Sequence, residues 1–359
     1  MTGDAMTGDG WAVEVDRDDL TRTTLVPEQV PEPADGEAVL RTDRVGLTAN
    51  NVTYAVFGDA LRYWEFFPAG RPWAGRVPLW GFAEVVASRA EGVQAGQRLY
   101  GYLPPASHLV VRPDRVDGRG FRDASPHRAA LPAVYNSYAL TTGDRAYRAD
   151  EEDLQVLFRP LFMTSFLLAD QLGEKGARVV ALSSASSKTA YGTAFLLRGG
   201  ATEVVGLTSP GNAGFARSLG CYDRVLTYDE ATSLAAVPTA YVDLAGSTPL
   251  RQALHEHLRD DLVLDLAVGG THQDLSPPGR LPGARPAFFF APDRMTARAA
   301  DWGRDGLDRR FGEAWQRFAS YVAGQVDVQV STGPEALREV WLEVLSGASA
   351  PRTGHVLQL

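Results

Sequence analysis

Cysteine, lysine and long apolar runs are what this 359-residue chain has least of. Its one cysteine, Cys221, excludes a disulfide within the chain and a zinc site built from several thiolates. Only two lysines occur, Lys175 and Lys188, so nearly every other basic side chain is arginine. No apolar run reaches the roughly 18 residues of a membrane helix, and the N-terminus lacks the basic and apolar segments of a signal peptide. Residues 1–10, where Met1-Thr2-Gly3-Asp4-Ala5 is echoed by Met6-Thr7-Gly8-Asp9-Gly10, read as a disordered leader with a second start at Met6. A net charge of −9 argues against nucleic acid or an anionic membrane as the partner. A soluble, cytoplasmic protein is the simple reading. Its 45% hydrophobic and 22% charged residues suit a globular chain, and its length suits two domains.

From Trp11 to Val116 short alternating runs are broken by Pro, Gly and Asp. Ala38–Val45, Glu84–Ser88 and Leu109–Val111 read as strands of a mostly antiparallel β unit. Between them lies an aromatic segment, Tyr54 to Trp80, which suits either a core or the wall of a site for a flat, apolar ligand. The change of domain is placed at Asp150, after which Arg159–Leu168 leads into a helix. From Ala177 the pattern alternates: strand Ala177–Leu182, helix Ala190–Arg198 ended by Gly199-Gly200, strand Glu203–Leu207, and a helix around Gly214–Leu219. Strands Arg224–Leu226, Ala240–Asp243 and Leu262–Val268 follow, with Phe288–Phe290 the last apolar run. Near-continuously apolar strands alternating with helices imply an α/β domain with a doubly wound parallel sheet, of nucleotide-binding type. A helix Leu307–Val322, a strand Val326–Val330 and a helix Glu335–Leu345 close the chain, and the strand returns to the style of the first half.

The chemistry centres on the stretch Val179 to Gly192, a buried strand, a turn of small hydroxyl residues and a helix start. Such a turn aims free backbone N–H groups at one point and suits a phosphate. A P-loop is disfavoured, because its two glycine positions fall on Leu182 and Ser187. A dinucleotide turn fits better, with serine hydroxyls as added donors where glycines usually stand; a turn that has lost its ligand is the third reading. After the second strand, Leu207-Thr208-Ser209-Pro210-Gly211-Asn212 has no carboxylate to meet a ribose 2′-hydroxyl, which favours NADP over NAD. Arg217 or Tyr228 could lend a further donor. The six histidines form no zinc-ligand cluster, and His255 and His257, two apart on a helix, point away from each other. No Gly-x-Ser-x-Gly elbow is present, so hydrolysis by a serine nucleophile is unsupported.

In order along the chain, these pieces resemble the medium-chain dehydrogenase/reductase superfamily, in its zinc-independent quinone oxidoreductase and enoyl reductase branch. The resemblance is carried by the stretch Glu91 to Tyr102, the strand–turn–helix at Val179 to Arg198, Gly206–Pro210, Ala216–Val225, Val242–Gly246 and Thr353–Leu357. The chain also resembles a bacterial subfamily catalogued as a domain of unknown function, through Tyr63–Pro68, Arg159–Ser165, the Ser-Ser-Ala-Ser-Ser-Lys-Thr-Ala turn and Phe290–Asp293. The resemblance implies a Rossmann-type cofactor domain over 150–325 and a β-rich GroES-like substrate domain over 11–149 and 326–359. It implies NADP(H) contacts from the turn (Ser183, Ser184, Ser186, Ser187, Lys188, Thr189), from Ser209, Asn212 and Tyr228 toward the 2′-phosphate, and from Thr164, Gly246 and Val268-Gly269 toward the nicotinamide. Asn212 stands where the family's lysine would be, and the zinc cysteine of the alcohol dehydrogenases is missing from Leu47–Asn50.

The resulting expectation is a zinc-independent NADP(H)-dependent reductase of a carbonyl or activated alkene on a small, apolar or aromatic substrate, assembled as a homodimer. Without a metal, a side-chain donor must steady the developing oxyanion. Tyr54, Tyr63, Asn51, Asn136 and Tyr138 are the candidates. Two rivals keep the same fold: a lyase, isomerase or dehydratase, and a ligand-binding protein that has lost cofactor turnover.

Overall fold

The computed structural model describes residues 10–268 and 281–359. The N-terminal echo up to Asp9, Gly269 and His272 lie outside them. The chain forms two compact units: the described residues up to Leu157 together with Val326–Leu359, and Phe158–Gln325.

The second unit holds six parallel strands: β1 (Val179–Leu182), β2 (Glu203–Thr208), β3 (Arg224–Thr227), β4 (Thr239–Asp243), β5 (Leu262–Val268) and β6 (Pro286–Phe289). Their order is β3-β2-β1-β4-β5-β6, the arrangement of a doubly wound dinucleotide-binding sheet. Every residue of β1 and β4 is buried, as expected for central strands covered on both faces. Four helices follow strands of the sheet: α1 (Lys188–Leu197), α2 (Pro210–Ser218), α3 (Thr248–Leu258) and α4 (Ala291–Val322). Leu250, Leu254 and Leu258 of α3, spaced by four, pack with Val179, Val205 and Tyr241. Elsewhere in this unit Phe162, Trp315 and Phe318 form an aromatic core in which Phe162 and Phe318 stack at 4.2 Å.

Two of these helices differ from expectation. α2 begins at Pro210 rather than near Gly214, since proline is suited to the first helical position. α4 begins at Ala291 rather than Leu307, with a break at Gly303 (φ 68°, ψ 160°). The added stretch has no continuous apolar stripe; it is held by ion pairs from Arg294 and Arg298 to Asp170 and Glu174. α3 spans Thr248–Leu258, where the sequence marks a helix only at His255 and His257 and gives it no bounds.

In the first unit a long antiparallel sheet is built on Ala38–Leu47, which pairs with Leu79–Ser88 on one side and the C-terminal strand Thr353–Gln358 on the other. Thr353–Gln358 pairs in parallel with Asp327–Thr332, and the helix Gly333–Leu345 connects the two. The core joins both ends of the chain: Leu40, Val45, Leu79 and Leu103 pack in one cluster with Leu337, Trp341 and Leu357. The Trp341 indole N–H donates to the Leu20 carbonyl at 2.8 Å, satisfying the one polar atom this ring brings into the core.

Candidate functional site

The turn after β1 keeps its shape by committing polar groups inward. Ser183 is fully buried; its hydroxyl lies 3.0 Å from Asp243 Oδ1 and accepts from the N–H groups of Leu244 and Ala245 at 2.8 and 3.0 Å. Ser183 is therefore a support for the turn rather than a free phosphate donor. Ser184 adopts φ 52°, the left-handed region that the family's glycines favour. The next residue is pinned to β2, since Ala185 N–H donates to the Leu207 carbonyl at 3.0 Å and the Tyr222 hydroxyl donates to the Ala185 carbonyl at 2.8 Å. A Cβ on Gly206 would stand 2.8 Å from Ala185 Cβ, so only glycine lets the turn sit this close to β2.

The helix start follows at once. Ser187 caps α1, its hydroxyl accepting from Ala190 N–H at 3.3 Å. Ser186, Lys188 and Thr189 are half-buried around this first turn, where helix N–H groups have no carbonyl four residues back. Lys188 Nζ lies 5.6 Å from the centre of the Phe158 ring, and burial pulls its ammonium down to about 8. Tyr228 stands by the turn: burial raises its hydroxyl above the ordinary value, while a hydrogen bond from the Ser184 backbone acts the other way. Ser209 and Asn212 stand half-buried at the head of α2, Ser209 as a cap whose side chain makes no capping bond. Thr164 bonds back to the Pro160 carbonyl at 3.5 Å within its own helix, and Val268 ends β5 half-buried.

The left-handed serine predicts an asymmetry. Ser184→Gly should hold or slightly raise the urea midpoint. Ser184→Val should lower stability by roughly 1–3 kcal/mol, because a β-branched residue is poorly tolerated at positive φ. Equal midpoints for the two variants would contradict the backbone conformation described.

Beneath the turn lies a buried ionic chain that the sequence reading missed. Asp243 Oδ1 accepts from Ala245 and Gly246 N–H at 3.0 and 2.9 Å, while Oδ2 faces Arg251 at 2.9 Å. Gly246 has φ 66°, which lets the loop curl back over this carboxylate. Arg251 also lies 3.1 Å from Asp265, and both of its contacts are ion pairs by distance rather than aligned hydrogen bonds. His255 Nε2 stands 2.8 Å from Asp265 and Nδ1 2.6 Å from the Pro282 carbonyl. The imidazole thus bridges Asp265 to the Pro282 carbonyl, within a buried set of two carboxylates and one guanidinium. The missed signal was Ser247-Thr248-Pro249 starting a helix, with Arg251 and His255 four apart beside the Leu250, Leu254, Leu258 stripe.

In the first unit the five expected donors divide. Asn51 completes a capping box, accepting from Thr48 N–H at 2.8 Å and donating to the Pro78 carbonyl at 2.9 Å. Asn136 and Tyr138 belong to a buried cluster around Arg128, which donates to Asn136 Oδ1 and the Tyr138 hydroxyl, both at 2.9 Å. Tyr138 in turn donates to the Tyr102 carbonyl at 2.8 Å, and burial pushes its own ionisation up to about 12. Asn51, Asn136 and Tyr138 thus all bond to neighbours within the fold.

Tyr54 and Tyr63 instead meet in an aromatic cluster, ring centres 4.6 Å apart, with Phe66, Tyr102 and Tyr135 around them. The Tyr54 oxygen accepts from the Trp80 indole N–H at 3.1 Å. Tyr63 and Tyr135 hydroxyls lie 3.4 Å apart. Burial raises both Tyr54 and Tyr63 above the ordinary phenol value. The sequence marks Tyr54 to Trp80 as aromatic but carries no sign that Tyr102 and Tyr135 converge on this segment.

Among the described residues no group of three or more His, Cys, Asp or Glu is placed to hold a metal ion. No helix there is long and apolar enough to cross a membrane.

A β3-β2-β1-β4-β5-β6 sheet, and a β-rich unit built from both chain ends, define the medium-chain dehydrogenase/reductase architecture: a Rossmann-type unit and a GroES-like unit. The chain belongs to the family described as protein of unknown function (DUF2855), whose model matches residues 45–350. No curated protein matches the chain. Among solved structures it is similar to CurA from Vibrio vulnificus, with a TM-score of 0.62 and 14% identity over 97% of this chain and 98% of that one. It is also similar to the YhdH oxidoreductase from Salmonella enterica, solved in complex with NADP: TM-score 0.54 and 15% identity over 97% and 99% of the two chains. The quinone oxidoreductase from Coxiella burnetii aligns with a TM-score of 0.57 and 12% identity over 98% and 99%. At these identities the likeness is one of fold.

Proposed function

We propose that the chain is a zinc-independent, NADP(H)-dependent reductase of a carbonyl or activated alkene in a small apolar or aromatic molecule. The observation that carries this reading is the turn itself, with Ser184 in the left-handed conformation between β1 and the N-terminus of α1. Its donors suit a pyrophosphate: Ser186, Thr189, the Lys188 ammonium and the first N–H groups of α1. The head of α2 offers Ser209 and Asn212, and no carboxylate there would repel a 2′-phosphate. Structures of CurA and YhdH solved with NADPH and NADP favour the same choice. Gly246 and Val268 at strand ends, and Thr164, are assigned to the nicotinamide side, as the resemblance implies.

Bound at this turn, NADPH supplies a hydride. The chain's own part is to place a proton. Tyr54 and Tyr63 are assigned as donors to the substrate oxygen or carbon. Tyr54 is the better prepared, because the Trp80 N–H already points at its oxygen and would stabilise the phenolate left behind. A cytoplasmic location and a homodimer, using an end strand of the sheet such as β6, belong to the same proposal. Light scattering on the purified protein tests the assembly.

Titrating purified protein with NADPH and NADH, followed by nucleotide fluorescence and thermal melting, tests the cofactor. Tighter binding of NADPH is expected, and binding of neither would overturn the proposal. Oxidation of NADPH should then appear with some member of a panel of quinones, enones and ketones. Binding without any oxidation would favour the lyase-type use of the fold.

Lys188 gives a sharper expectation. It stands on the first turn of α1, apart in sequence from the Ser209–Asn212 set, so it is assigned to the pyrophosphate. Lys188→Met should weaken NADPH and NADH alike, about tenfold or more, the loss of one charge-assisted contact. A loss confined to NADPH would move Lys188 to the 2′-phosphate. The sign with pH follows from its lowered value. The folded chain releases this proton near 8 and the unfolded chain near 10.5, so the unliganded protein gains stability as pH rises between them. Phosphate affinity moves the opposite way as the ammonium is lost, so the melting shift caused by NADPH should shrink between about pH 7 and about pH 9.5.

A further inference from the structure

The buried ionic chain under the turn has a geometry that packing alone does not require. It begins at Ser183, which follows β1, and at Asp243, which ends β4, and these carboxyl ends of central strands are where ligands of open α/β sheets bind. It runs through Arg251 of α3 to Asp265 in β5, then through His255 to the Pro282 carbonyl. Every ionic side chain in it is buried. Charged groups are costly to bury, and removing one partner strands the others. An apolar quartet would fill the same space without that burden.

What the charges do here is fix two loops to each other. Asp243 is held on both oxygens: Oδ2 by Arg251, Oδ1 by the Ala245 and Gly246 N–H groups. The Ser183 hydroxyl bridges the two turns, standing 3.0 Å from Asp243 and accepting from Leu244 and Ala245. The turn after β1 and the loop after β4 are therefore one rigid piece, and Arg251 sets the rotamer of the carboxylate that locks it. A ligand that touches either loop feels the state of the chain.

We infer that Arg251 and His255 are positioning residues for the dinucleotide. Arg251 acts by orienting Asp243, and so the Ser183–Thr189 turn. His255 acts by holding Asp265 so that Arg251 faces Asp243. The inference rests on the proposed function, since it needs a dinucleotide at that turn. A purely structural network would lower stability when broken and leave affinity unchanged wherever the protein is folded. A positioning network lowers affinity at temperatures far below melting.

Four variants test it in the full-length protein: Ser183→Ala, Arg251→Met, Arg251→Lys and His255→Gln. Thr239→Ala is the control, because Thr239 is equally buried on β4 but bonds to Val237 at the opposite end of the strand. NADPH affinity is read by fluorescence, stability by thermal melting, and loop order by hydrogen exchange at the amides of Leu244, Ala245 and Gly246. Ser183→Ala and Arg251→Met should each weaken NADPH about tenfold, equivalent to one lost charge-assisted bond. They should also speed exchange at the three amides. Arg251→Lys should recover part of both effects, and His255→Gln should show smaller losses of the same kind. Thr239→Ala should lose stability alone. Affinity that follows melting temperature across all five variants would overturn the inference while leaving the reductase proposal intact. Ser183→Ala binding NADPH like wild type, with its loop amides still protected, would do the same. Wild type binding no NADPH would overturn both.

Discussion

Replacing Arg128 by methionine is expected to destabilise the first unit by roughly 3–5 kcal/mol, the usual consequence of stranding a buried charge. Arg128 is only 1% exposed, yet each of its three guanidinium nitrogens finds an acceptor: Asp123 at 2.8 Å, Asn136 and the Tyr138 hydroxyl at 2.9 Å, and the Tyr135 carbonyl at 2.7 Å. Asp123 is itself buried, and its other oxygen is engaged by Arg112 N–H and by Ser125. Methionine matches the length of the stem but supplies no donor, so Asp123 Oδ2 and the Tyr135 carbonyl lose their partner together. Tyr138→Phe removes a single hydroxyl and should cost roughly 1–2 kcal/mol. Urea denaturation of the two variants against wild type checks the ratio. Equal losses would mean that the guanidinium is not what organises the cluster.

Phe318→Ala should cost the second unit a similar amount, roughly 3–5 kcal/mol, by a different mechanism. Phe318 is wholly buried, stacks on Phe162 at 4.2 Å, and meets the edges of Phe158 and Phe195 at 5.7 and 5.4 Å. Alanine leaves a cavity among rings too large to collapse into it. Phe318→Leu keeps most of the volume and should lose about 1.5 kcal/mol or less beyond its aromatic contacts. Thermal melting separates the two substitutions. Parity between Ala and Leu would show that the surrounding helices close over the gap, which the interlocked rings argue against.

These two residues also mark where sequence reasoning works and where it stops. Phe318 lies in the segment Leu307–Val322, where Leu307, Phe311, Trp315, Phe318 and Val322 recur at helical spacing and declare one buried face. Arg128 lies in a Pro- and His-flanked stretch with no period at all. An arginine there reads as surface, and nothing local announces that Asp123, Asn136 and Tyr138 surround it. The same limit bears on function: polar residues beside an aromatic segment, such as Asn136 and Tyr138, suggest catalytic donors. Their bonds are made to a neighbour whose burial is a property of the fold. Asn51 is a like case at smaller scale, its amide bonding within a helix cap.

The dinucleotide-type turn was far more legible, because it depends on short-range order. Four apolar residues, a run of small ones and a helix start specify strand, turn and helix over Val179 to Leu197, and the later strands place it at the centre of a parallel sheet. The class of fold, the position of the turn and the absence of a carboxylate after β2 were all determined by the sequence alone, since each is written in contiguous residues. Which hydroxyls face inward was decided only by the tertiary structure. Ser183 and Ser184 are adjacent and chemically identical, yet one is locked to Asp243 and the other sits in the left-handed region beside Tyr228. The ionic chain gathers residues from β4, α3 and β5 between Ser183 and Pro282, two ends that are far apart in the sequence. Buried charges choose partners by distance in space, and that distance exists only once the sheet has closed around them.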